Sequence, residues 1–239
     1  MHGPPLRKIR SFVKRPGRIT AAQKRALEML WPRWGIAYGE RLLDLDAVFG
    51  RSAPRVLDVG FGDGEALLTM AANNPDVDYL GVEVHEPGIG HLLVLLERAS
   101  LGNVRIVQRD VVDVAAHMLG DRCFDAVNVF FPDPWPKKRH HTRRLMQRPF
   151  VAALARVLKP RGLLHVATDW EDYARHVGAV LAQSPEFSAE PREVAAADRL
   201  AFRPPTKFER RGRRLGYEAV DLYYRKAMRA AQPASTIAD

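Results

Sequence analysis

Cysteine is nearly missing from this 239-residue chain. Cys123 stands alone, so no intramolecular disulfide is available and a reducing, cytoplasmic setting is expected. No apolar run approaches the length of a membrane span. The basic N-terminus has no apolar stretch leading to a cleavage site, which argues against a signal peptide. Acids are missing in particular places. Residues 1–27 carry eight Lys or Arg and no Asp or Glu, and residues 137–148 carry six, again with none. Residues 203–214 carry six against the single Glu209. Elsewhere acids outnumber Lys and Arg by 27 to 17, although the whole chain is at +9. An acidic body wearing three basic segments suits a polyanion partner. Nucleic acid stands ahead of an anionic membrane surface, because none of the segments forms an amphipathic helix with an apolar face. Solvated surface charge explains one such run well and three poorly.

The 46% hydrophobic content is ordinary for a chain with a sizeable core. Residues 1–19 have no apolar period and are expected to form a mobile basic arm. Thr20 with Gln23 is a capping-box pair before a helix over 21–31, and a short helix is expected over 39–49. From residue 55, β-rich apolar runs alternate with helical stretches, the pattern of a parallel α/β sheet. Strands are predicted at 55–59, 79–84, 104–108, 124–131 and 163–168. Helices are predicted near 64–73, 87–99, 111–119, 143–158 and 170–183. The alternation over 217–225 predicts a last, antiparallel strand at the sheet's edge. The Ala-rich tail 228–239 has no packing pattern and is expected to be disordered. This leaves one domain over 20–227, with no internal repeat.

The first predicted strand runs into Asp58-Val59-Gly60-Phe61-Gly62-Asp63-Gly64. Alternate glycines let the backbone turn tightly and approach a ligand at the carboxyl end of the sheet. The Gly60, Gly62, Gly64 spacing differs from the dinucleotide fingerprint, and the flanking Asp58 and Asp63 would repel a pyrophosphate. A bare strand-to-helix turn explains the loop alone equally well. Two more acids change that balance. Glu83 ends the second strand, where a carboxylate can take both ribose hydroxyls. Asp110 follows the third strand, where an acid can accept from an adenine amino group. Three acids at the ends of three successive strands lie along one crevice, and S-adenosylmethionine is the ligand that fits.

The fourth strand ends in Phe130-Phe131-Pro132-Asp133-Pro134-Trp135-Pro136, followed directly by Lys137-Lys138-Arg139-His140-His141. An acid and an aromatic between prolines make a stiff platform facing that crevice. The His140–His141 pair, with arginines around it and no cysteine near, is a poor metal set, and no metal is expected. With these blocks in order, the sequence resembles the bacterial tRNA (guanine-N7-)-methyltransferases over nearly its whole length. The likeness runs from Ile9-Arg10-Ser11-Phe12-Val13 and Gly17-Arg18-Ile19-Thr20 to the last strand. Its most specific stretches are Gly60–Gly64, Gly81-Val82-Glu83-Val84-His85, the PDPW run with Lys137, Arg139, His140, Arg143 and Arg144, Thr168-Asp169-Trp170, and Arg203-Pro204-Pro205-Thr206-Lys207-Phe208-Glu209. Asp58 stands where the family often has Glu, and Pro136 occupies a variable position.

The resemblance implies a Rossmann-like class I methyltransferase fold with helices on both faces of the sheet. It also implies methylation, from S-adenosylmethionine, of the guanosine at position 46 in the tRNA variable loop. Carried onto this sequence, Asp58, Glu83, Asp110 and Asp133 line the cofactor site, and Asp133 is the catalytic candidate. Lys137, Asp169, Thr206, Lys207, Phe208 and Glu209 match substrate-contacting positions. Arg139, His140, His141, Thr142, Arg143 and Arg144 match an RNA-binding loop. Trp135 or Phe208 would stack on a base or belong to the core. The expected partner is tRNA, with no DNA, membrane or obligatory protein partner. The competing readings are methylation of RNA at an exocyclic amino group or cap guanine, a non-catalytic RNA-binding subunit, and a small-molecule methyltransferase. The intact acids and glycines disfavour the second, and the third leaves the basic segments unused.

Overall fold

Apolar strands buried along their whole length need cover on both faces. The computed structural model, which describes residue 12 and residues 18–228, supplies that cover. The expected arm 1–19 and tail 228–239 lie outside the described residues, apart from Phe12, Arg18, Ile19 and Met228.

In chain order the strands are β1 (Gly35–Ile36), β2 (Arg55–Val59), β3 (Asp78–Glu83), β4 (Val104–Gln108), β5 (Phe124–Phe130), β6 (Leu158–Thr168), β7 (Phe187–Ala189) and β8 (Val220–Lys226). The helices are α1 (Ala21–Met29), α2 (Trp31–Trp34), α3 (Leu45–Phe49), α4 (Glu65–Asn73), α5 (Glu86–Ala99), α6 (Val111–His117), α7 (Arg148–Val157), α8 (Glu171–Ala182), α9 (Arg192–Ala195) and α10 (Lys207–Arg214). One sheet has the order β1-β4-β3-β2-β5-β6-β8-β7. β1 to β6 run parallel, and β8 pairs antiparallel with β6. The antiparallel strand at that side is therefore present, with three-residue β7 covering its outer flank. From β2 the chain steps through β3 to β4, then returns to the other side of β2 for β5 and β6. This reversal opens a crevice at the carboxyl ends of β2 and β5, where parallel sheets bind ligands.

One face of the sheet buries Phe150, Leu154, Tyr173 and Val177 from α7 and α8 with Val111 and Val114 of α6. The other buries Ala26 of α1, Leu67 and Met70 of α4, and Ile89, Leu92, Leu93 and Leu96 of α5. Burying such side chains contributes roughly 1.5–3 kcal/mol each against the entropy of ordering the chain.

The capping box forms as predicted. Thr20 N donates to Gln23 Oε1 at 2.9 Å and Gln23 N to Thr20 Oγ1 at 3.2 Å. Three boundaries differ from the sequence expectation. The first helix ends at Met29 and restarts as α2, with Pro32 in its first turn. Only the end of 39–49 is helical, starting where the Asp44 carboxylate accepts from Ala47 N at 3.1 Å. The helix expected from 143 starts at Arg148, with Pro149 in its first turn, and Lys138–Arg143 form a 3₁₀ turn instead. Proline favours the first turn because it has no N–H to leave unsatisfied there.

The glycine loop is locked by a close approach of backbones. A Cβ on Gly88, in the first turn of α5, would lie 1.9 Å from the Gly62 carbonyl oxygen. Gly88→Ala should therefore cost about 1–3 kcal/mol, the usual price of overpacking. Gly39→Ala, which meets no atom within 4 Å, should change stability by less than about 0.5 kcal/mol. Urea unfolding of the two variants checks this, and equal midpoints would contradict the packing account.

Candidate active site

The loop after β2 turns on three glycines in the left-handed region, Gly60, Gly62 and Gly64 at φ 69°, 63° and 80°. Side-chain-bearing residues are strained at such angles. Glu83, at the end of neighbouring β3, fixes the loop. Its Oε2 accepts from Gly62 N at 2.9 Å, and its Oε1 accepts from Val84 N at 2.6 Å and His85 N at 2.9 Å. His91 of α5 reaches back to the Asp63 carbonyl oxygen at 2.7 Å. Asp110 caps α6, its Oδ1 accepting from Val112 N at 3.0 Å. Asp58 lies deeper, in β2, and is buried. The structure thus brings the three acids to the ends of three adjacent strands around a cradle whose close packing excludes larger side chains. Carboxylates that accept and carry negative charge suit a cationic ligand bearing hydroxyl and amino donors, as S-adenosylmethionine does.

The second half of the site follows β5. Phe131 and Trp135 both have positive φ, 49° and 47°, so the prolines between them hold a strained loop. Arg144 braces it from inside. Arg144 Nε donates to the Pro134 carbonyl oxygen at 3.0 Å, and its guanidinium pairs with Asp172. Arg144 was expected to stand among the RNA-binding residues. It is buried, and its charge is matched by that carboxylate, so it builds the loop rather than its outer surface. Arg143 lies over the Trp135 ring at 4.9 Å, and His140 meets the same ring edge-on at 5.6 Å. Asp133, Lys137, Lys138, Arg139, Thr142 and Arg143 are exposed, and His140 and His141 are half-buried.

The third element is α10. Thr206 caps it, its Oγ1 accepting from Glu209 N at 3.1 Å. The Lys207 and Phe208 side chains lie outside the described ones. At the other end of α10, a Cβ on Gly212 would fall 2.9 Å from Asp169 Oδ2, so the helix packs directly on the residue following β6. Arg210 donates to Glu65 Oε2 at 2.8 Å, tying α10 to the first residue after the glycine loop. The cofactor loop, Asp169 and the Thr206–Glu209 segment therefore meet at one end of the sheet. Glu209 is buried and held by Arg203 and Arg213. Arg203 and the paired Arg210 and Arg213 are thus matched to carboxylates, which tempers the basic character that residues 203–214 have in sequence. Sequence reasoning also missed buried His165 and its partner Asp221. The only signal for His165 was a polar residue inside the apolar run 163–167, and Asp221 reads as one of the polar positions of an alternating strand.

The sequence matches known relatives over most of its length. The profile of a family described as "Putative methyltransferase" matches residues 52–222. The tRNA (guanine-N(7)-)-methyltransferase of Alkalilimnicola ehrlichii is 53% identical over 224 residues, covering 92% of this chain and 93% of that protein. The chain belongs to the tRNA (guanine-N7-)-methyltransferase family. Its counterpart from Nitrosospira multiformis, with the same description, is 53% identical over 93% of this chain and 96% of its own. Among solved structures, the 16S rRNA methyltransferase KamB superposes with a TM-score of 0.55 at 17% identity, over 78% of this chain and 95% of its own. That likeness shows the class I methyltransferase fold.

In this family member Asp58 is electrostatically unusual. Burial pushes its carboxyl from the ordinary 3.8 up to about 7, the nearby Glu83 charge adds to the rise, and a hydrogen bond with Asn128 opposes it. The folded protein holds this proton at pH values where the unfolded chain has released it. The stability this contributes is complete below about 3.8 and is lost as the pH rises through about 7. Asp58→Asn removes that loss. Its stability relative to the parent should grow by on the order of 2–4 kcal/mol between pH 4 and pH 8. Chemical denaturation across that range measures it, and a pH-independent difference would show that Asp58 titrates normally.

Proposed function

We propose that this protein transfers the methyl group of S-adenosylmethionine to N7 of a guanosine in tRNA, at position 46 of the variable loop, in the cytoplasm. The observation that carries this is the meeting of a carboxylate-lined glycine cradle with an exposed acid, Asp133, beside a basic loop. A single body over 20–227 does this work, and the basic arm 1–19 adds phosphate contacts. No helix of the described residues is long and apolar enough to cross a membrane. We read tRNA as the partner, without a requirement for DNA or a second protein.

Glu83 would hold the ribose hydroxyls and Asp110 the adenine amino group, with Asp58 lining the site beside them and Gly60, Gly62 and Gly64 leaving room. When bound, the cofactor supplies a methyl group on a sulfonium, already activated for transfer. Guanine N7 carries a lone pair and no proton at neutral pH, so the chain needs no general base. It needs alignment, together with negative charge near a purine that becomes cationic. Asp133 and Asp169 supply that charge and accept from the guanine N1–H and amino edge. The Thr206, Lys207, Phe208, Glu209 segment closes over the base, and Lys137 holds a phosphate. Arg139, His140, His141, Thr142 and Arg143 contact the RNA backbone. Methylation of an exocyclic amine would instead require a proton to leave.

Two substitutions separate the roles. Glu83→Gln keeps the shape and removes the charge, so cofactor affinity should fall by roughly 1.5–3 kcal/mol in calorimetry. Unchanged affinity in the folded variant would remove Glu83 from the cofactor site. Asp133→Asn should slow single-turnover methyl transfer by about a hundred- to a thousand-fold. The parent's rate should stay flat with pH wherever carboxylates are ionised, until guanine or the lysines titrate. A rate limb near neutrality that moves with substitution at Asp133 would replace this mechanism with general-base chemistry.

A further inference from the structure

Arg203 lies in the basic segment that reads in sequence as a phosphate-binding surface, yet its side chain is only 7% exposed. Asp221 of β8 receives two parallel bonds, from Nε at 2.8 Å and from NH2 at 3.0 Å. The remaining arm donates to Glu209. Each of the three guanidinium nitrogens therefore donates to a carboxylate, and the charge is matched inside the protein. The guanidinium carbon also lies over the Phe131 ring, 5.3 Å from its centroid, and over the Phe130 ring at 5.7 Å. A two-pronged carboxylate grip combined with cation–π contacts suits arginine and not lysine.

Those contacts join the two halves of the acceptor site. Glu209 belongs to the Thr206–Glu209 segment and anchors the first turn of α10. Phe131 is the positive-φ residue two positions before Asp133. Behind Asp221 stands His165, fully buried in β6, with Nε2 2.8 Å from Asp221 Oδ1 and its ring between Phe130 and Tyr223. His165 and Asp221 occupy register partners' neighbourhoods on paired strands β6 and β8, so the sheet itself fixes the aim of Arg203.

We propose that Arg203 is a positioning residue that couples the Phe131–Asp133 strand end to the Thr206–Glu209 segment and so sets the methyl-acceptor geometry. This rests on the reading above that these two segments form the acceptor site. The guanidinium touches neither substrate nor cofactor and acts through Glu209 and Phe131. Burial opposes the charge on Arg203, and its bonds to Asp221 and Glu209 outweigh that and hold it protonated. Asp221 likewise stays ionised, since the bonds from His165 and Arg203 overcome the effect of burial. Misplacing a reacting group by an ångström costs a rate of about a hundred-fold.

The test is single-turnover methyl transfer at saturating tRNA and S-adenosylmethionine. It compares the parent with Arg203→Lys, Asp221→Asn, Phe131→Leu and the Arg203→Lys/Phe131→Leu pair, each checked by thermal melting. Arg203→Lys and Asp221→Asn should slow the chemical step by at least about tenfold, with cofactor and tRNA dissociation constants within about threefold of the parent. The double variant should be no slower than Arg203→Lys alone, because both changes break one coupling. Should Arg203→Lys fail to fold, Asp221→Asn carries the test, since it retains the residue's shape and lies on β8. Parent-like rates in the folded variants would overturn the proposal. So would a loss that appears in binding rather than rate, or rate effects that multiply in the double variant. Slow Asp133→Asn beside fast Arg203→Lys would sink the coupling and leave the acceptor site intact.

Discussion

One carboxylate holds the cofactor end together. Glu83 accepts from the backbone N–H groups of Gly62, Val84 and His85, so it joins the glycine loop after β2 to the start of α5. Charge-assisted bonds to backbone donors are among the stronger ones available to a protein. The loop needs positive φ at Gly60, Gly62 and Gly64 to deliver Gly62 to that carboxylate. Helix α5 needs Gly88 to approach the Gly62 carbonyl. Each requirement follows from two strands ending side by side, and each keeps the backbone there free of a side chain. A carboxylate placed there with acceptor capacity to spare selects cations and hydroxyl donors over phosphates.

The acceptor end is built on a different principle. Arginines that look like polyanion ligands are turned inward onto acids supplied by distant parts of the chain. Arg144 pairs with Asp172 and Arg203 with Asp221 and Glu209, while the exposed Arg210 pairs with Glu65 at the surface. Breaking a buried pair strands an uncompensated charge, whereas the pair itself adds little net stability. Their value lies in geometry. They hold a strained loop and a short helix, neither of which has an apolar face large enough to fix its own position. The residues left outward, Lys137 to Arg143 apart from the half-buried histidines, keep the positive field that draws a polyanion.

How much of this was legible in the sequence follows from what is local. Apolar runs such as Arg55–Val59 and Phe124–Phe130 reveal their burial by composition, and Thr20 with Gln23 announces a helix start within four residues. The glycine spacing and the acids at strand ends are equally short-range, so the cofactor cradle could be assembled before any coordinates. The two- and three-residue strands β1 and β7 carry too few positions for a period. The start of α7 was misplaced because the basic run before it has no pattern to distinguish a 3₁₀ turn from a helix. The inward arginines were illegible for another reason. Arg144 and Arg203 find their partners 28 and 18 residues away, and nothing in a charge run says which members meet acids.

The central claim, methylation of one guanine nitrogen in tRNA, is tested most directly on the product. Unmodified tRNA incubated with the protein and S-adenosylmethionine, then cut with a base-specific nuclease, can be read fragment by fragment by mass spectrometry. The account predicts 7-methylguanosine in the variable-loop fragment and no other methylated nucleoside. Methylation on an exocyclic amine, at a guanosine elsewhere in the molecule, or none at all would contradict it.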